Sequence, residues 1–313
     1  MPRKQSTNTG ERQREIAGVV ITHPGKEMWP AAKPDPAFTK LDLAKHYEAF
    51  AQRILLHVEG RPLSLVRAPD GIDGQRFFQR HANKQGIKVR AIKLKGEPEP
   101  YITIDDVEGL LSLAQAAVLE LHPWGAKKNE PDLPERVIFD LDPAPDVAFE
   151  CVIEGAKELR ARLEACGLEP FVKTTGGKGL HVVAAIKARA RSPAAWPEVK
   201  DFARLLCLQM AADSPGAYTI TMAKKARAGK IFLDTLRNDL GATAIAPWSP
   251  RARPHAPIAT PLEWKQVRKG LDPLAFTLHT AEKLLNRADP WRDLHNSAVS
   301  LAAAREALDE KGS

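Results

Sequence analysis

Two aspartates separated by one leucine, Asp140-Leu141-Asp142, close the apolar run Val137-Ile138-Phe139, and 32 residues later begins Thr174-Thr175-Gly176-Gly177-Lys178-Gly179-Leu180-His181. On a strand, side chains alternate faces, so Val137, Phe139 and Leu141 bury on one side while Asp140 and Asp142 share the other. Their Cα atoms then stand roughly 6.5 Å apart, within reach of one divalent ion or two adjacent ions. Carboxylates held this close repel, and a bound cation relieves the repulsion. Ile231-Phe232-Leu233-Asp234 ends a second apolar run in an acid, so Asp140, Asp142 and Asp234 are the expected catalytic residues and metal ligands. Such a triad holds two divalent ions about 4 Å apart, one activating an attacking hydroxyl and the other neutralising a leaving pyrophosphate.

The glycine turn supplies the complementary charge. Its glycines allow a tight turn with exposed backbone N–H groups, Lys178 offers a point charge to phosphates, and Thr175 and His181 donate hydrogen bonds. It is not a P-loop, because the G-x-x-x-x-G-K-[ST] spacing is absent and the turn joins two strands. Arg237, just beyond the third acid, is placed to reach a triphosphate. Each segment has a plainer reading: a strand stopped by Pro143, a glycine hairpin with a surface lysine, an ordinary surface arginine. Their occurrence together favours phosphate chemistry.

The elements that must position these residues follow from periodicity. Thr39 is an N-cap before the helical stripe Leu41, Leu43, Ala44, Tyr47, Phe50, Ile54 and Leu55. Short strands are predicted at 62–67, 75–79 and 101–104, a helix over 106–115 capped by Asp105, and a strand at 116–122. From 135 onward the predicted order is strand (135–142), helix (147–166), strand (170–174), strand (180–186), helix (196–212), strand (230–235). That order is an α+β, RRM-like split βαβ core, in which the first and last strands lie adjacent, so Asp234 meets the dyad. Helical patterns at 280–288 and 297–310 close the chain, after an extended loop carrying Pro247, Pro250, Pro254, Pro257 and Pro261. Residues 1–14 read as a disordered basic tail. The remainder, 15–313, divides into an N-terminal α/β module over 15–130 and a catalytic core with C-terminal helices over 131–313.

A chain of 313 residues has ample core for an enzyme. It contains 46 Lys and Arg against 39 Asp and Glu, a formal net charge of +7, which suits a polyanionic partner. Basic residues cluster at Lys84, Lys88, Arg90, Lys93 and Lys95, and at Lys224, Lys225, Arg227 and Lys230, with Arg251 and Arg253 following; solvated loops are the alternative. The polar N-terminus has no apolar signal core, and no run approaches a membrane span. Cys151, Cys166 and Cys207 are odd in number without C-x-x-C spacing, so buried thiols in an intracellular, reducing compartment are expected.

These blocks together resemble the polymerase domain of bacterial DNA ligase D, in the archaeo-eukaryotic primase superfamily. The resemblance runs from about residue 16 to the C-terminus through Ile21-Thr22-His23-Pro24-Gly25-Lys26 with Thr39-Lys40-Leu41-Asp42, Phe77-Phe78-Gln79-Arg80-His81, Leu121-His122-Pro123-Trp124-Gly125, the dyad, the turn, the Asp234 strand, and Ala246-Pro247-Trp248-Ser249-Pro250-Arg251-Ala252-Arg253. It implies a template-dependent nucleotidyltransferase that extends 3′-hydroxyls at gaps or broken ends with Mn²⁺ or Mg²⁺, often preferring ribonucleotides, in non-homologous end joining. Thr175, Lys178, His181, Arg237, Arg251 and Arg253 would hold the nucleoside triphosphate, Thr175 standing where serine is usual. His23, Lys26 and Lys40 would recognise a 5′-phosphate across the gap, and Phe77 and Phe78 would face DNA. Adjacent strand aromatics point to opposite faces, so one of these rings is expected in the core and one on the bases. A Ku-type protein and a DNA ligase are the implied partners, with no membrane. No K-x-D-G ligase motif is present, so the chain reads as a stand-alone polymerase or one piece of a longer protein.

Two rivals remain. A haloacid-dehalogenase-type phosphatase would use Asp140 as nucleophile, but that family continues with Gly-Thr after the second acid, where this chain has Pro143-Ala144. A non-catalytic DNA-end-binding module would keep the acids for structure alone. Extension of a primer on a gapped duplex separates all three.

Overall fold

The computed structural model of the chain describes residues 13–82, 90–94, 99–188 and 195–311. Residues 1–12 of the basic tail, with Lys84, Lys88 and Lys95, lie outside them. Gln13 and Arg14, assigned to the tail, instead begin a strand: β1 (Gln13–Ile16) pairs with β2 (Val19–Thr22). Next, β3 (Glu27–Trp29) pairs with β4 (Phe38–Thr39), and helices α1 (Lys40–Ala49) and α2 (Ala51–Val58) follow. Thr39 caps α1 reciprocally: its hydroxyl accepts from the Asp42 amide, and its own amide donates to the Asp42 carboxylate at 2.8 Å. The single helical stripe of the sequence is broken at Phe50, which caps both helices.

A five-stranded sheet is then built from β5 (Leu63–Arg67), β6 (Phe77–Gln79), β7 (Arg90–Ile92), β8 (Tyr101–Thr103) and β9 (Val118–Pro123), with α3 (Val107–Gln115) between the last two. The path is β6-β5-β8-β7, and β9 also pairs with β5. Asp106, rather than Asp105, caps α3, accepting from the Gly109 amide at 2.7 Å. Asp105 is taken by Lys128 and Arg90.

The second half runs β10 (Arg136–Pro143), α4 (Phe149–Ala165), β11 (Pro170–Thr174), β12 (Leu180–Lys187), α5 (Ala195–Asp213), β13 (Tyr218–Thr219), β14 (Ile231–Asp234), β15 (Pro261–Leu262), α6 (Ala281–Leu285), β16 (Val299–Ser300) and α7 (Leu301–Lys311). Its sheet order is β13-β14-β10-β12-β11-β15, with β16 added in parallel to β12. The central order β14-β10-β12-β11 is the split βαβ arrangement read from the sequence. Alternation decides the faces. Val137, Phe139 and Leu141 of β10 and Leu180, Val182 and Ala184 of β12 pack with α4 and α5. The opposite face carries Asp140 and His181 at one end and, further along, Ile138, Val183 and Phe171 beneath Trp291 and Leu294.

The proline-rich segment is core material for the first half. Trp248, Ala252, Ala256, Ile258, Leu278 and Leu284 pack with Tyr47, Phe50, Ile54 and Leu65. Arg53 fastens this return: its guanidinium donates to the carbonyls of Leu284, Leu285 and Arg287 at 3.0, 2.9 and 2.5 Å and lies over the Phe50 and Trp248 rings. The Leu284 and Leu285 carbonyls are orphan acceptors at the end of α6. Arg53→Ala is therefore expected to lower the free energy of unfolding by about 2 kcal/mol, read from urea unfolding. A change below about 0.5 kcal/mol would show that water replaces the fork without cost.

Of the three cysteines, Cys166 and Cys207 are buried as expected, but Cys151 is exposed because it lies on the solvent side of α4. Among the described residues no helix is long and apolar enough to cross a membrane.

Candidate active site

The register of the large sheet brings the acids together. Asp140 of β10 lies directly across from Asp234 of β14 on one side and from His181 of β12 on the other, and His181 lies across from Lys173 of β11. Directly opposed residues share a face, so Asp234, Asp140, His181 and Lys173 form one row across four strands. Asp142, two residues on, shares the face of Asp140 nearer the strand end and is more exposed.

Cations sit among these carboxylates. Arg237 Nη2 is 3.1 Å from Asp234 Oδ2 and 3.5 Å from Asp140 Oδ2, while His181 Nε2 is 3.4 Å from the same Asp140 oxygen. Asp142 has Lys178 Nζ at 3.8 Å and Arg227 Nη1 at 3.6 Å. Burial alone would raise the Asp140 pKa, but His181, Arg237 and Lys173 outweigh it and hold the carboxyl below its ordinary range. For Asp234 burial wins, and the nearby Asp140 charge adds to it, so its pKa is raised. Burial brings His181 down to about 4, with Lys173 acting in the same direction.

The donor chemistry fits a hard divalent cation, since three carboxylates supply oxygen ligands and a guanidinium already stands between two of them. As they stand, no group of three such ligands is gathered closely enough to hold an ion among the described residues. Strand register thus brings Asp234 beside Asp140, but the Asp234 side chain is engaged by Arg237 and the three carboxylates do not gather as one ligand group among the described residues.

The turn after β11 faces the dyad. Thr175 closes it, its hydroxyl donating to the Gly179 carbonyl at 3.2 Å, and Lys178 Nζ donates to the Pro143 carbonyl. Gly176 has φ +65°, and a Cβ there would meet Arg251 Cγ at 2.5 Å. Gly179 is more tightly constrained, because a Cβ would stand 2.5 Å from the Leu141 carbonyl oxygen, a backbone atom that cannot swing aside. Gly179→Ala is expected to cost about 2 kcal/mol of stability and to weaken nucleoside triphosphate binding at least about tenfold, by displacing the turn from the dyad. Calorimetric titration with a non-hydrolysable triphosphate checks it; unchanged affinity would show that the turn does not position the ligand.

A pocket of about 430 Å³ collects Asp140, Asp142, Thr175, Lys178, His181, Arg237, Arg251 and Arg253. All six residues predicted for the nucleotide therefore line one cavity with the dyad. Four other residues in its wall, Thr243, Ala244, Ile245 and Leu274, were not singled out from the sequence, and His122 only within the Leu121-to-Gly125 block. Behind them is Glu120, also missed. Its carboxylate accepts from the Ala252 amide at 2.8 Å, contacts Arg251 Nε at 3.0 Å and pairs with His122 Nε2 at 2.8 Å. Arg251 Nη1 in turn donates to the Thr175 carbonyl at 2.5 Å. Burial opposes ionisation of Glu120, but the His122 hydrogen bond, Arg251 and the Ala252 amide overcome it and bring the carboxyl down to about 2. The signal was available, because Leu119-Glu120-Leu121-His122 alternates on a strand as Phe139-Asp140-Leu141-Asp142 does.

The expected 5′-phosphate residues also come together, away from this pocket. The Lys26 amide donates to the His23 carbonyl, and the Lys40 amide to the Lys26 carbonyl, so the three gather at the N-terminal end of α1. Lys26 pairs with Asp70 at 2.7 Å. Lys40 is largely buried, its Nζ donating to the Gln115 carbonyl, and burial followed by the Lys26 charge lowers its pKa. The expectation for the aromatics is corrected: Phe77 and Phe78 are 44% and 63% exposed, so neither ring is in the core. Strand β6 ends the sheet path, and alternation buries one of two adjacent rings only where its face of the strand is covered.

The sequence matches the family described as "LigD, primase-polymerase domain" over residues 39–291. It is 33% identical over 310 residues to the multifunctional non-homologous end joining protein LigD of Pseudomonas aeruginosa, covering 96% of this chain and 36% of that protein. It is also 33% identical over 281 residues to the LigD protein of the same description from Mycolicibacterium smegmatis, covering 88% of this chain and 35% of that protein. The chain thus spans about a third of the length of these curated relatives. Among solved structures, the polymerase domain from Mycobacterium tuberculosis ligase D in complex with DNA superposes with a TM-score of 0.77 at 28% identity, covering 90% of this chain and 99% of that one.

Proposed function

The chain belongs to the LigD primase-polymerase domain family and is a nucleotidyltransferase of that class; on that premise we propose that it extends the 3′-hydroxyl of a primer across gaps and at broken DNA ends during non-homologous end joining. One observation carries the reading: two strand-end aspartates and a basic glycine turn face each other across a single pocket that also holds Arg251 and Arg253.

In this reading Lys178, Arg237, Arg251 and Arg253 bind the triphosphate, since guanidinium and ammonium groups recognise phosphate oxygens. Thr175 donates from its hydroxyl beside the sugar, and His181 presents Nε2 to the same space. Asp140, Asp142 and Asp234 would hold two Mn²⁺ or Mg²⁺ ions. The chemistry supplied there on binding is activation of the attacking 3′-hydroxyl and neutralisation of the leaving pyrophosphate. Before that, the carboxylates rest against Arg237, Lys178 and Arg227, cations that a bound triphosphate competes for. Phe77 and Phe78 offer exposed rings for base stacking, worth about 1–3 kcal/mol per base. Ribonucleotides are the preferred substrates in this reading. The protein acts in the cytoplasm at the nucleoid, beside a Ku-type end-binding protein and a DNA ligase.

Extension on a one-nucleotide gapped duplex with Mn²⁺, run with ribo- and deoxynucleotides side by side, tests the proposal. Template-directed addition supports it; release of phosphate from small phosphoesters without extension would favour the phosphatase, and DNA binding alone the non-catalytic module. His23, Lys26 and Lys40 read the downstream 5′-phosphate with their side chains, beside the N-terminus of α1, whose first amides already donate to the Lys26 and Pro24 carbonyls and the Thr39 hydroxyl. Removing that phosphate is expected to weaken binding to gapped DNA about tenfold, measured by fluorescence anisotropy at fixed salt. Equal affinities would remove these residues from end recognition.

A further inference from the structure

Beside the residues that gather at the N-terminal end of α1 stands a carboxylate that phosphate binding does not call for. Lys26 Nζ is 2.7 Å from Asp70 Oδ1. Fixed backbone carries both partners. The Lys26 amide donates to the His23 carbonyl at 2.9 Å, and the Lys26 carbonyl accepts from the Lys40 amide at 2.8 Å. Asp70 opens the turn Asp70-Gly71-Ile72-Asp73-Gly74, which is seated on β3: the Ile72 amide donates to the Met28 carbonyl at 2.9 Å, and Ile72 is buried in the same core as Met28 and Trp29. Gly71, at φ +78°, passes so close that a Cβ would stand 2.9 Å from the Glu27 carbonyl oxygen. Arg76 closes the turn, donating from Nε and Nη2 to the Ile72 carbonyl at 3.1 and 2.7 Å. The fold itself therefore brings Asp70 to Lys26.

The charges available to a phosphate are already engaged. Lys40 Nζ donates to the Gln115 carbonyl at 3.2 Å, and Lys26 is paired with Asp70. A phosphate monoester carries about −1.5 to −2 charges near neutral pH. It reaches Lys26 only by displacing the Asp70 carboxylate or by lying beside it against like-charge repulsion. Either way the carboxylate subtracts from binding, and an amide at position 70 would hold the phosphate more tightly. Gap filling leaves a 3′-hydroxyl next to that same 5′-phosphate. The reaction that seals such a nick consumes the phosphate, so the end must leave this site first.

On the reading that His23, Lys26 and Lys40 receive the downstream 5′-phosphate, we propose that Asp70 is a built-in competitor for Lys26, which holds down the affinity of the end and speeds its release to a nick-sealing reaction. As the phosphate departs, Asp70 reclaims the Lys26 ammonium. Lys26 and Asp70 thus exchange one ion pair for another, and no bond is made or broken.

The test is the ratio of affinities for one-nucleotide gapped duplexes with and without the 5′-phosphate, measured by fluorescence anisotropy at fixed salt. The general effect of removing one surface charge cancels in that ratio. Asp70→Asn is expected to raise the ratio about threefold over wild type and to slow dissociation of the phosphorylated duplex by a similar factor in stopped flow. On a Lys26→Gln background the increase should vanish. The two side chains are 75% and 39% exposed, so neither substitution threatens the fold. A ratio that is unchanged or lower in Asp70→Asn, one that rises equally with Lys26→Gln present, or a gain confined to the association rate would overturn the role of Asp70. A wild-type ratio near one that Lys26→Gln leaves unchanged would remove the phosphate site itself, and the role of Asp70 with it.

Discussion

Asp140→Asn is expected to lower kcat for primer extension by about 10³-fold or more while leaving affinity for gapped DNA within about twofold of wild type. The side chain is at the centre of the row Asp234, Asp140, His181 and Lys173, and it is ionised because surrounding cations outweigh its burial. Asparagine keeps the size and removes the charge, so nothing collapses. Arg237 retains Asp234 at 3.1 Å. Stability should change by no more than about 1 kcal/mol, because the variant exchanges a buried carboxylate for a buried amide that still accepts from His181. Asp140→Ala should lose activity to the same extent. Extension by either variant within about tenfold of wild type would remove Asp140 from catalysis and, with it, the metal reading of the dyad. Loss of activity with loss of fold, seen by circular dichroism, is distinguished by the DNA-binding measurement.

Glu120→Gln is expected to raise KM for the incoming nucleotide about tenfold or more, with a smaller effect on kcat, and to destabilise the fold by about 3 kcal/mol. Glu120 touches neither the dyad nor the glycine turn. It holds Arg251 and His122, and Arg251 holds the Thr175 carbonyl, so it positions the Arg251 side of the pocket from a strand of the other sheet. The same carboxyl predicts an acid limb of stability. Its folded pKa, about 2, lies below the ordinary value of 4.5, so the stabilisation is fully present above pH 4.5 and is lost as pH falls towards 2. Urea unfolding at pH 6 and pH 3 should show wild type losing stability over this range and Glu120→Gln losing less. Glu120→Asp should recover part of the KM effect. An unchanged KM in Glu120→Gln would mean that Arg251 is positioned by its backbone alone.

Much of this chain was legible from local rules because its chemistry sits at strand ends. Alternating side chains put Asp140 and Asp142 on one face whatever the strand packs against, and glycine at 176, 177 and 179 marks a turn wherever it lies. The order of elements from 135 to 235 sufficed to place Asp234 beside the dyad, since few topologies accommodate that sequence of strands and helices. Phe77 and Phe78 were misjudged for the complementary reason. Alternation says that adjacent rings point to opposite faces, but only the sheet order reveals that β6 ends the sheet path, where neither face buries a ring.

The acids, the basic turn and the split βαβ order were thus determined by the sequence itself, because strand period and turn chemistry are properties of a few consecutive residues. What tertiary structure decided is which side chains from separate segments come into contact. Glu120 meets Arg251 across 131 positions only because the proline-rich segment returns and buries its own Trp248 and Ile258 in the core of the first half. The cationic neighbours of Asp140 were decided in the same way: cross-strand register places His181, then Lys173, beside it. Register and return packing are set by how whole hydrophobic faces fit together, and no local window of the chain contains both faces.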